Sequence, residues 1–341
     1  MKIPIQNIYY LLCYAWNRLS EKDLVDVKGM DNISILNLFA RVLCSGLERA
    51  LKSGLELGYT SFTEEIRGVK GRINISESLK RLSFHKAQSI CEYDELDYNT
   101  LNNRILKTTI RMLIRSEGVE RNSKEKLYLF YKRFDSIDEI SLSTDVFKRV
   151  RIGRNNKIYG FLINVCELIY HSFVMNESTG KYKFTDFTQN EIEMRLLFES
   201  FVRNFYLTEQ KDFKVKREDI RWKFSSDNAV GTIFLPKMQT DISLENKTKK
   251  IIIDTKFSKQ TFQVNWGKET IRSDHLYQMF AYLKNIKVEP YKSLGGIILY
   301  PTVKETVELN YSIDGISLKI RTIDLNQDWK GIHCDLLALI T

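Results

Sequence analysis

The stretch Lys249-Lys250-Ile251-Ile252-Ile253-Asp254-Thr255-Lys256-Phe257 constrains this chain more than any other. Three consecutive β-branched isoleucines mark a strand buried on both faces, since such a strand shows no polar alternation. The strand then runs into Asp-Thr-Lys. Side chains alternate faces along a strand, so Asp254 and Lys256 point the same way. A charge at the end of a buried strand must be paired, coordinated or placed at a cleft, because burying it alone is costly. Upstream, Met238-Gln239-Thr240-Asp241-Ile242 reads as another strand, and a hairpin through Glu245-Asn246-Lys247-Thr248 lays Asp241 beside the pair. Two carboxylates and one lysine at a sheet edge can hold Mg²⁺ and activate a water, which points to phosphodiester hydrolysis. The Asp-x-Lys spacing alone is cheap, for it recurs at Asp26-Val27-Lys28, Asp212-Phe213-Lys214 and Asp328-Trp329-Lys330. The alternative is a hairpin whose Asp254 and Lys256 are solvated past the strand end.

Two amphipathic segments flank these strands. Asn190 to Tyr206 reads as a helix in which Glu199 lies one turn from Leu196 and Val202 and two turns from Ile192 and Tyr206. A carboxylate on or beside an apolar face is unusual. The bland alternative is an i,i+4 pair with Arg195. Glu191 and Glu193 suit the positive end of the helix dipole. The second segment, Ser273 to Lys284, has Ser273 as a candidate N-cap and Leu276, Met279, Phe280 and Leu283 as its core stripe. Gln278 and Tyr282, four apart, share a face and can orient a water or a phosphate, or serve as ordinary boundary residues. His275 fits no required role and reads as a surface or DNA-facing residue.

The order helix with Glu, strand with Asp, strand with Asp-Thr-Lys, helix with Gln-x-x-x-Tyr resembles the PD-(D/E)xK nuclease superfamily. More narrowly, the chain resembles the McrC family, the nuclease subunits of McrBC-type modification-dependent restriction systems. The C-terminal likeness rests on Leu197-Phe198-Glu199, Met238 to Ile242, Ile253 to Lys256, Tyr277 to Tyr282 and Leu299-Tyr300-Pro301. The N-terminal likeness rests on Ile5 to Trp16, on Gly68-Val69-Lys70-Gly71-Arg72-Ile73, and on Asp94-Glu95-Leu96 followed by Asn99, Asn102, Asn103 and Arg104. One departure is that the first acid follows Thr240 rather than Pro, which leaves the carboxylate in place.

The resemblance implies an α+β N-terminal domain over 1–155 that docks on a partner. It implies an α/β PD-(D/E)xK restriction-endonuclease-like domain over 156–341, with a central mixed sheet flanked by helices. It further implies Mg²⁺-dependent DNA cleavage, with Asp241, Asp254 and the Thr255 carbonyl as metal ligands. Lys256 would polarise the attacking water. Glu199 would be an outer or second-metal acid, Gln278 would position the water or a phosphate, and Tyr282 would brace it toward the DNA. The implied partners are a hexameric McrB-like AAA+ GTPase, stimulated by the N-terminal domain, and double-stranded DNA containing modified cytosine. No Gly-x-x-x-x-Gly-Lys-Ser/Thr loop occurs in this chain, so GTP would be bound by the partner. A non-cleaving, nuclease-fold adaptor and a stand-alone nuclease are the competing readings. Intact Asp241, Asp254 and Lys256 argue against the first, and the long N-terminal half argues against the second.

The remaining sequence agrees with that organisation. Ile5 to Leu19, Ile33 to Gly54, Ser76 to Leu82, Asn99 to Arg115, Ser123 to Arg133 and Ile158 to Met175 read as helices, the last ended by Ser178-Thr179-Gly180. Tyr59 to Ile66 alternates like a strand. Gly68 and Gly71 bracket a turn carrying Arg67, Lys70 and Arg72, which suit contact with an acidic partner surface or simply keep a solvated turn soluble. The basic run containing Lys148, Arg149, Arg151, Arg154 and Lys157 can touch DNA phosphates or act as a solvated linker. Net charge is +9, consistent with a polyanionic partner or with a generally lysine-rich composition. Five scattered cysteines form no Cys-x-x-Cys pair, so neither zinc nor a disulfide framework is indicated and a reducing, cytoplasmic compartment is expected. No apolar stretch reaches membrane-spanning length, and no membrane partner is expected.

Overall fold

A computed structural model describes residues 3–22, 24, 33–153, 156–175, 182–224, 234–258, 262–265, 268–287, 291–302 and 305–341. The chain forms two compact units, one of 34–185 and one combining 1–33 with 186–341. These units differ from a linear split at 155/156 at both ends, for an evident physical reason. Helix α1 (Ile5–Ala15) is apolar on nearly every side. It belongs to the second unit, where the Tyr14 hydroxyl donates to Glu209 (2.6 Å) and Asn204 Nδ2 donates to the carbonyls of Tyr14 and Ala15 (both 2.9 Å).

The 34–185 unit begins with α2 (Ile35–Ser53), capped by Ser34, whose side chain accepts from the Asn37 N–H. A three-stranded antiparallel sheet follows in the order β1 (Gly58–Ile66), β3 (Ser89–Asp97), β2 (Arg72–Ile73), with α3 (Ile75–Lys80) between β2 and β3. Then come α4 (Leu101–Arg115), α5 (Arg121–Arg133), α6 (Thr144–Lys148) and α7 (Lys157–Ser172). The apolar segment expected to run as helix to Met175 instead turns into β4 (Phe173–Met175), paired with β5 (Tyr182–Phe184). Helix α7 belongs to this unit because its apolar faces, including Phe161, Leu162 and Cys166, are fully buried here. Tyr159 fixes it further, donating to Asn103 Oδ1 (2.8 Å) and accepting from the Glu56 N–H (2.8 Å).

The other unit continues with α8 (Glu191–Glu209), a short strand β6 (Lys214–Lys216), and the paired strands β7 (Asp219–Ile220) and β8 (Met238–Gln239). Next come β9 (Ile242–Glu245), β10 (Lys249–Thr255), the β11–β12 hairpin (Phe262–Asn265, Lys268–Ile271) and α9 (Ser273–Asn285). The strands β13 (Ser293–Pro301), β14 (Glu308–Ile313) and β15 (Ile316–Ile323) and helix α10 (Trp329–Ala338) complete it. One mixed sheet runs β14-β15-β13-β10-β9-β6, with β10, β13 and β15 parallel. Parallel neighbours need a crossover, and α9 supplies the one between β10 and β13. Ile252 and Ile253 are fully buried, as the isoleucine run requires. Met279, Tyr282 and Leu283 of α9 cover Ile252, Ile298 and Ile320.

Two expected stripes are corrected. On α9, Phe280 is 46% exposed and Tyr282 takes its place in the core. The N-cap position is Arg272 with no side-chain cap, so Ser273 is the first helical residue. On α8, Ile192 and Leu196 are 62% and 51% exposed, so the buried face runs through Met194, Phe198, Phe201 and Phe205 and Glu199 sits at its rim.

Candidate active site

The site forms where β10 leaves the core. Antiparallel pairing sets Ile242 opposite Ile253, and this register carries Asp241 to the level of Asp254. Asp241 lies in the bend between β8 and β9 and is half-buried. Its Oδ2 accepts from both the N–H (2.8 Å) and the hydroxyl (2.9 Å) of Thr255. Its Oδ1 accepts nothing among the described residues. Asp254 is fully buried, and neither of its oxygens takes a well-aligned hydrogen bond. Its ionic partner among the described residues is the Lys256 ammonium, 2.8 Å from Oδ2, as expected of two residues on one face. Burial is the main cause that pushes the Asp254 carboxyl up to about 7; the Asp241 charge adds to it and Lys256 opposes it.

Helix α9 supplies the rest. The Lys256 ammonium donates to Gln278 Oε1 (2.7 Å), and Gln278 Nε2 donates to the Tyr282 hydroxyl (2.7 Å). Tyr282 in turn donates to the Gln239 carbonyl (2.8 Å), anchoring the helix on β8. Burial above all pushes the Tyr282 hydroxyl up to about 12, so it stays a neutral donor. The Gln-x-x-x-Tyr pair therefore forms a continuous chain of hydrogen bonds that fixes the lysine. Glu199 is near enough to act on Asp254 electrostatically. Its partner is not Arg195 but Arg203 on its own helix (2.9 Å) and Arg217 (3.2 Å).

Three residues were given no role in the site by the sequence. Arg217 is one. His275, read from the sequence as a surface or DNA-facing residue, is another: its side chain is only 13% exposed and Nδ1 lies 2.8 Å from the Tyr300 hydroxyl, which sets aside the surface alternative. Tyr300, one residue beyond the Thr255–Leu299 pair, is the third. The only early sign was spacing, since His275, Gln278 and Tyr282 recur at i, i+3 and i+7 on one helical face.

The donor chemistry suits a divalent cation. Two adjacent carboxylates, one of them buried with unsatisfied oxygens and a raised pKa, gain most from a hard cation that accepts oxygen ligands. Among the described residues no three His, Cys, Asp or Glu side chains group at metal-ligand spacing.

The other predicted residues lie in the 34–185 unit. Arg67 and Arg72 are exposed. Lys70 forms an ion pair with Glu95, its ammonium 4.0 Å from the centre of the Tyr93 ring. Gly71 adopts φ +69°, and a Cβ there would meet the Glu92 carbonyl oxygen at 2.4 Å, so this turn requires glycine. Asn99, Arg104 and Asp138 form a polar network, with Arg104 Nε donating to Asn99 Oδ1 (2.8 Å) and Asn99 Nδ2 to Asp138 (2.6 Å). Asn102 and Asn103 bind Glu56 and the Tyr98 carbonyl. Arg151 is exposed and donates to the Val150 carbonyl (3.1 Å); Arg154 lies outside the described residues. None of the described helices is long and apolar enough to cross a membrane.

The fold and site together define a mixed α/β sheet protein, helix-flanked, with a buried carboxylate–lysine cluster at the end of the interior strand β10. The chain belongs to the McrBC family: the profile described as McrBC 5-methylcytosine restriction system component matches residues 6–301. It is 33% identical to the type IV methyl-directed restriction enzyme EcoKMcrBC of Escherichia coli K12, over 99% of this chain and 97% of that one. Its fold is similar to a chain in the half-complex of Thermococcus gammatolerans McrB AAA+ hexamers with bound McrC. There the TM-score is 0.60 at 16% identity, covering 99% of this chain and 76% of that one.

Proposed function

We propose that this chain is the DNA-cleaving subunit of a GTP-dependent restriction complex directed to modified cytosine, and that its 186–341 portion is a PD-(D/E)xK nuclease. The observation that carries this reading is Asp254, a fully buried carboxylate with no well-aligned hydrogen bond among the described residues, set beside Asp241 and 2.8 Å from the Lys256 ammonium. A fold tolerates such a group where function uses it. Asp254, Asp241 and the Thr255 carbonyl would hold Mg²⁺, which when bound supplies Lewis acidity and charge neutralisation at the phosphate. The protein's own part is positioning. Lys256, held between Asp254 and Gln278, is placed to orient the attacking water and to offset charge that develops on the phosphate. Gln278 and Tyr282 keep that ammonium in place, and Glu199 supports the acidic side of the site.

The exposed cations Arg67, on the β1–β2 turn, and Arg72, the first residue of β2, are assigned to docking on an AAA+ GTPase hexamer and to stimulating it, with Lys70 as a lesser contributor. Arg151 and Arg154 are assigned to the DNA backbone. The test is cleavage of methylated plasmid DNA by the chain with its GTPase partner, GTP and Mg²⁺. Asp254→Ala and Lys256→Ala should each lower cutting by about 10²-fold or more while partner binding and GTPase stimulation persist. Full GTPase stimulation with no cutting by the unsubstituted chain would leave the adaptor reading in its place.

A further inference from the structure

Helix α9 crosses the ends of three strands and makes one polar contact with each. Tyr282 donates to the Gln239 carbonyl of β8, Gln278 accepts from Lys256 just past β10, and His275 meets Tyr300 of β13. Two of these contacts build the site already described. The third lies beside them, because the Lys256 N–H donates to the Leu299 carbonyl (2.9 Å) and continues the parallel ladder, which sets Tyr300 level with Lys256. Residues level with one another on parallel strands point to the same face. His275 therefore stands over the strand next to Lys256, on the side away from Asp241.

The imidazole has one defined orientation. Tyr300 is 1% exposed, and among the described residues its hydroxyl has His275 Nδ1 as its hydrogen-bond partner. A buried phenol that leaves its proton unpaired is destabilised, so the hydroxyl donates and Nδ1 accepts. The ring proton then sits on Nε2. Burial, reinforced by the nearby Lys256 charge, pulls the imidazole down to about 4, so the ring is a neutral donor at neutral pH. The nearest acid to Nε2 on its own helix is Asp274, at 3.8 Å, beyond hydrogen-bond reach and itself close to Arg272 (3.4 Å). An oriented N–H donor, without a hydrogen-bond partner among the described residues and adjacent to the water-orienting lysine, matches a non-bridging phosphate oxygen.

We propose that His275 is a DNA-phosphate-binding residue of the cleft, its Nε2–H aimed by Tyr300 and presented beside Lys256 to the strand being cut. This rests on the nuclease reading above. Tyr300 acts through His275 and is a positioning residue.

The experiment compares His275→Gln, His275→Asn and Tyr300→Phe in the intact complex with the partner GTPase, by steady-state cleavage of methylated DNA. Gln places an amide N–H near the Nε2 position and loses the acceptor for Tyr300; Asn keeps an acceptor near Nδ1 and loses the outward donor. If His275 binds phosphate, Asn should raise the KM for DNA about tenfold, the scale of one lost hydrogen bond to an anion. Gln should stay within about threefold of the unsubstituted complex, and Tyr300→Phe should fall between them. A ring that merely satisfies Tyr300 gives the reverse order, with Asn tolerated and Gln impaired, and overturns the proposal. Equal losses in all three with a lowered melting temperature also overturn it, as packing. An unsubstituted complex that does not cut removes the nuclease reading and this proposal with it; one that cuts no better than His275→Asn overturns this proposal alone.

Discussion

Asp254→Asn should make the metal-free protein more stable at pH 8 while it abolishes cutting. The buried carboxyl has its pKa near 7 in the fold against an ordinary value of 3.8. A raised folded pKa means that stability is fully present below about 4 and is lost as pH rises toward 7, after which the loss is constant. About three pH units at 1.36 kcal/mol each gives roughly 4 kcal/mol lost by pH 8. Asparagine fits the same space, needs no proton and has no charge to desolvate. It forgoes the ion pair with Lys256, which keeps its bond to Gln278. The value near 7 already includes the attraction of Lys256, so removing the charge should return that whole amount, about 4 kcal/mol at pH 8. For a unit of this size that is a rise of about 8–16 °C in melting temperature. The assay is thermal unfolding in chelator at pH 5 and pH 8, repeated with Mg²⁺. The gain should be largest at pH 8 and fall to about 1–2 kcal/mol at pH 5, where the unfolded carboxyl is ionised and the folded one still holds its proton. Mg²⁺ should stabilise the unsubstituted chain but not Asp254→Asn, since a ligand raises stability only where it binds the fold. A variant that melts lower at pH 8, or a difference indifferent to pH, would refute the claim that this carboxylate is held against its own solvation.

Two further outcomes follow from the packing around the site and from the β1–β2 turn. A methyl group at Gly296 would lie 2.6 Å from Met279 Sδ and 3.0 Å from Leu283 Cδ1, so Gly296→Ala should push α9 off β13. A loss of about 1–3 kcal/mol in thermal unfolding, with a fall in cleavage beyond what the residual folded fraction explains, is expected. Around the β1–β2 turn, the double substitution Arg67→Ala/Arg72→Ala should weaken GTPase stimulation by the partner severalfold. Lys70→Ala should do less, because Lys70 is already held by Glu95 and Tyr93; equal effects in a GTP-hydrolysis titration would contradict this ranking.

What the sequence made legible divides along physical lines. Period-2 alternation and a β-branched run carry their own faces, so Asp254 and Lys256 could be placed together without coordinates, and the hairpin brought Asp241 to them. Gln278 and Tyr282 were readable because i and i+4 are neighbours on any helix. His275 and Tyr300 were not, since their contact depends on the register of a parallel pair joined through a crossover, and no local rule sets that register. Glu199 was found for a partly mistaken reason: Ile192 and Leu196, read as its apolar neighbours, are exposed, and its real distinction is the pair of arginines around it. The unit boundaries were missed because α1 and α7 are apolar helices whose sequences say that they are buried but not against what.

The cluster is held by two supports, which meet at the Asp254–Lys256 ion pair. Asp241 and Thr255 are tied to each other by the β9–β10 hairpin, a local element of few intervening residues. Lys256, Gln278, Tyr282, His275 and Tyr300 are tied through α9, whose position depends on the β10-to-β13 crossover and on close contact at Gly296. Carboxylate spacing should therefore survive perturbations that displace the helix, whereas the lysine, the amide and the imidazole should move together. Substitutions under α9 ought to lower cleavage while sparing the stabilisation by Mg²⁺, and substitutions in the hairpin ought to lose both. The cost of the buried carboxylate is offset by apolar burial on its own face of the sheet: Ile252, two residues back on β10, and Ile298, level with it on β13, are both fully buried.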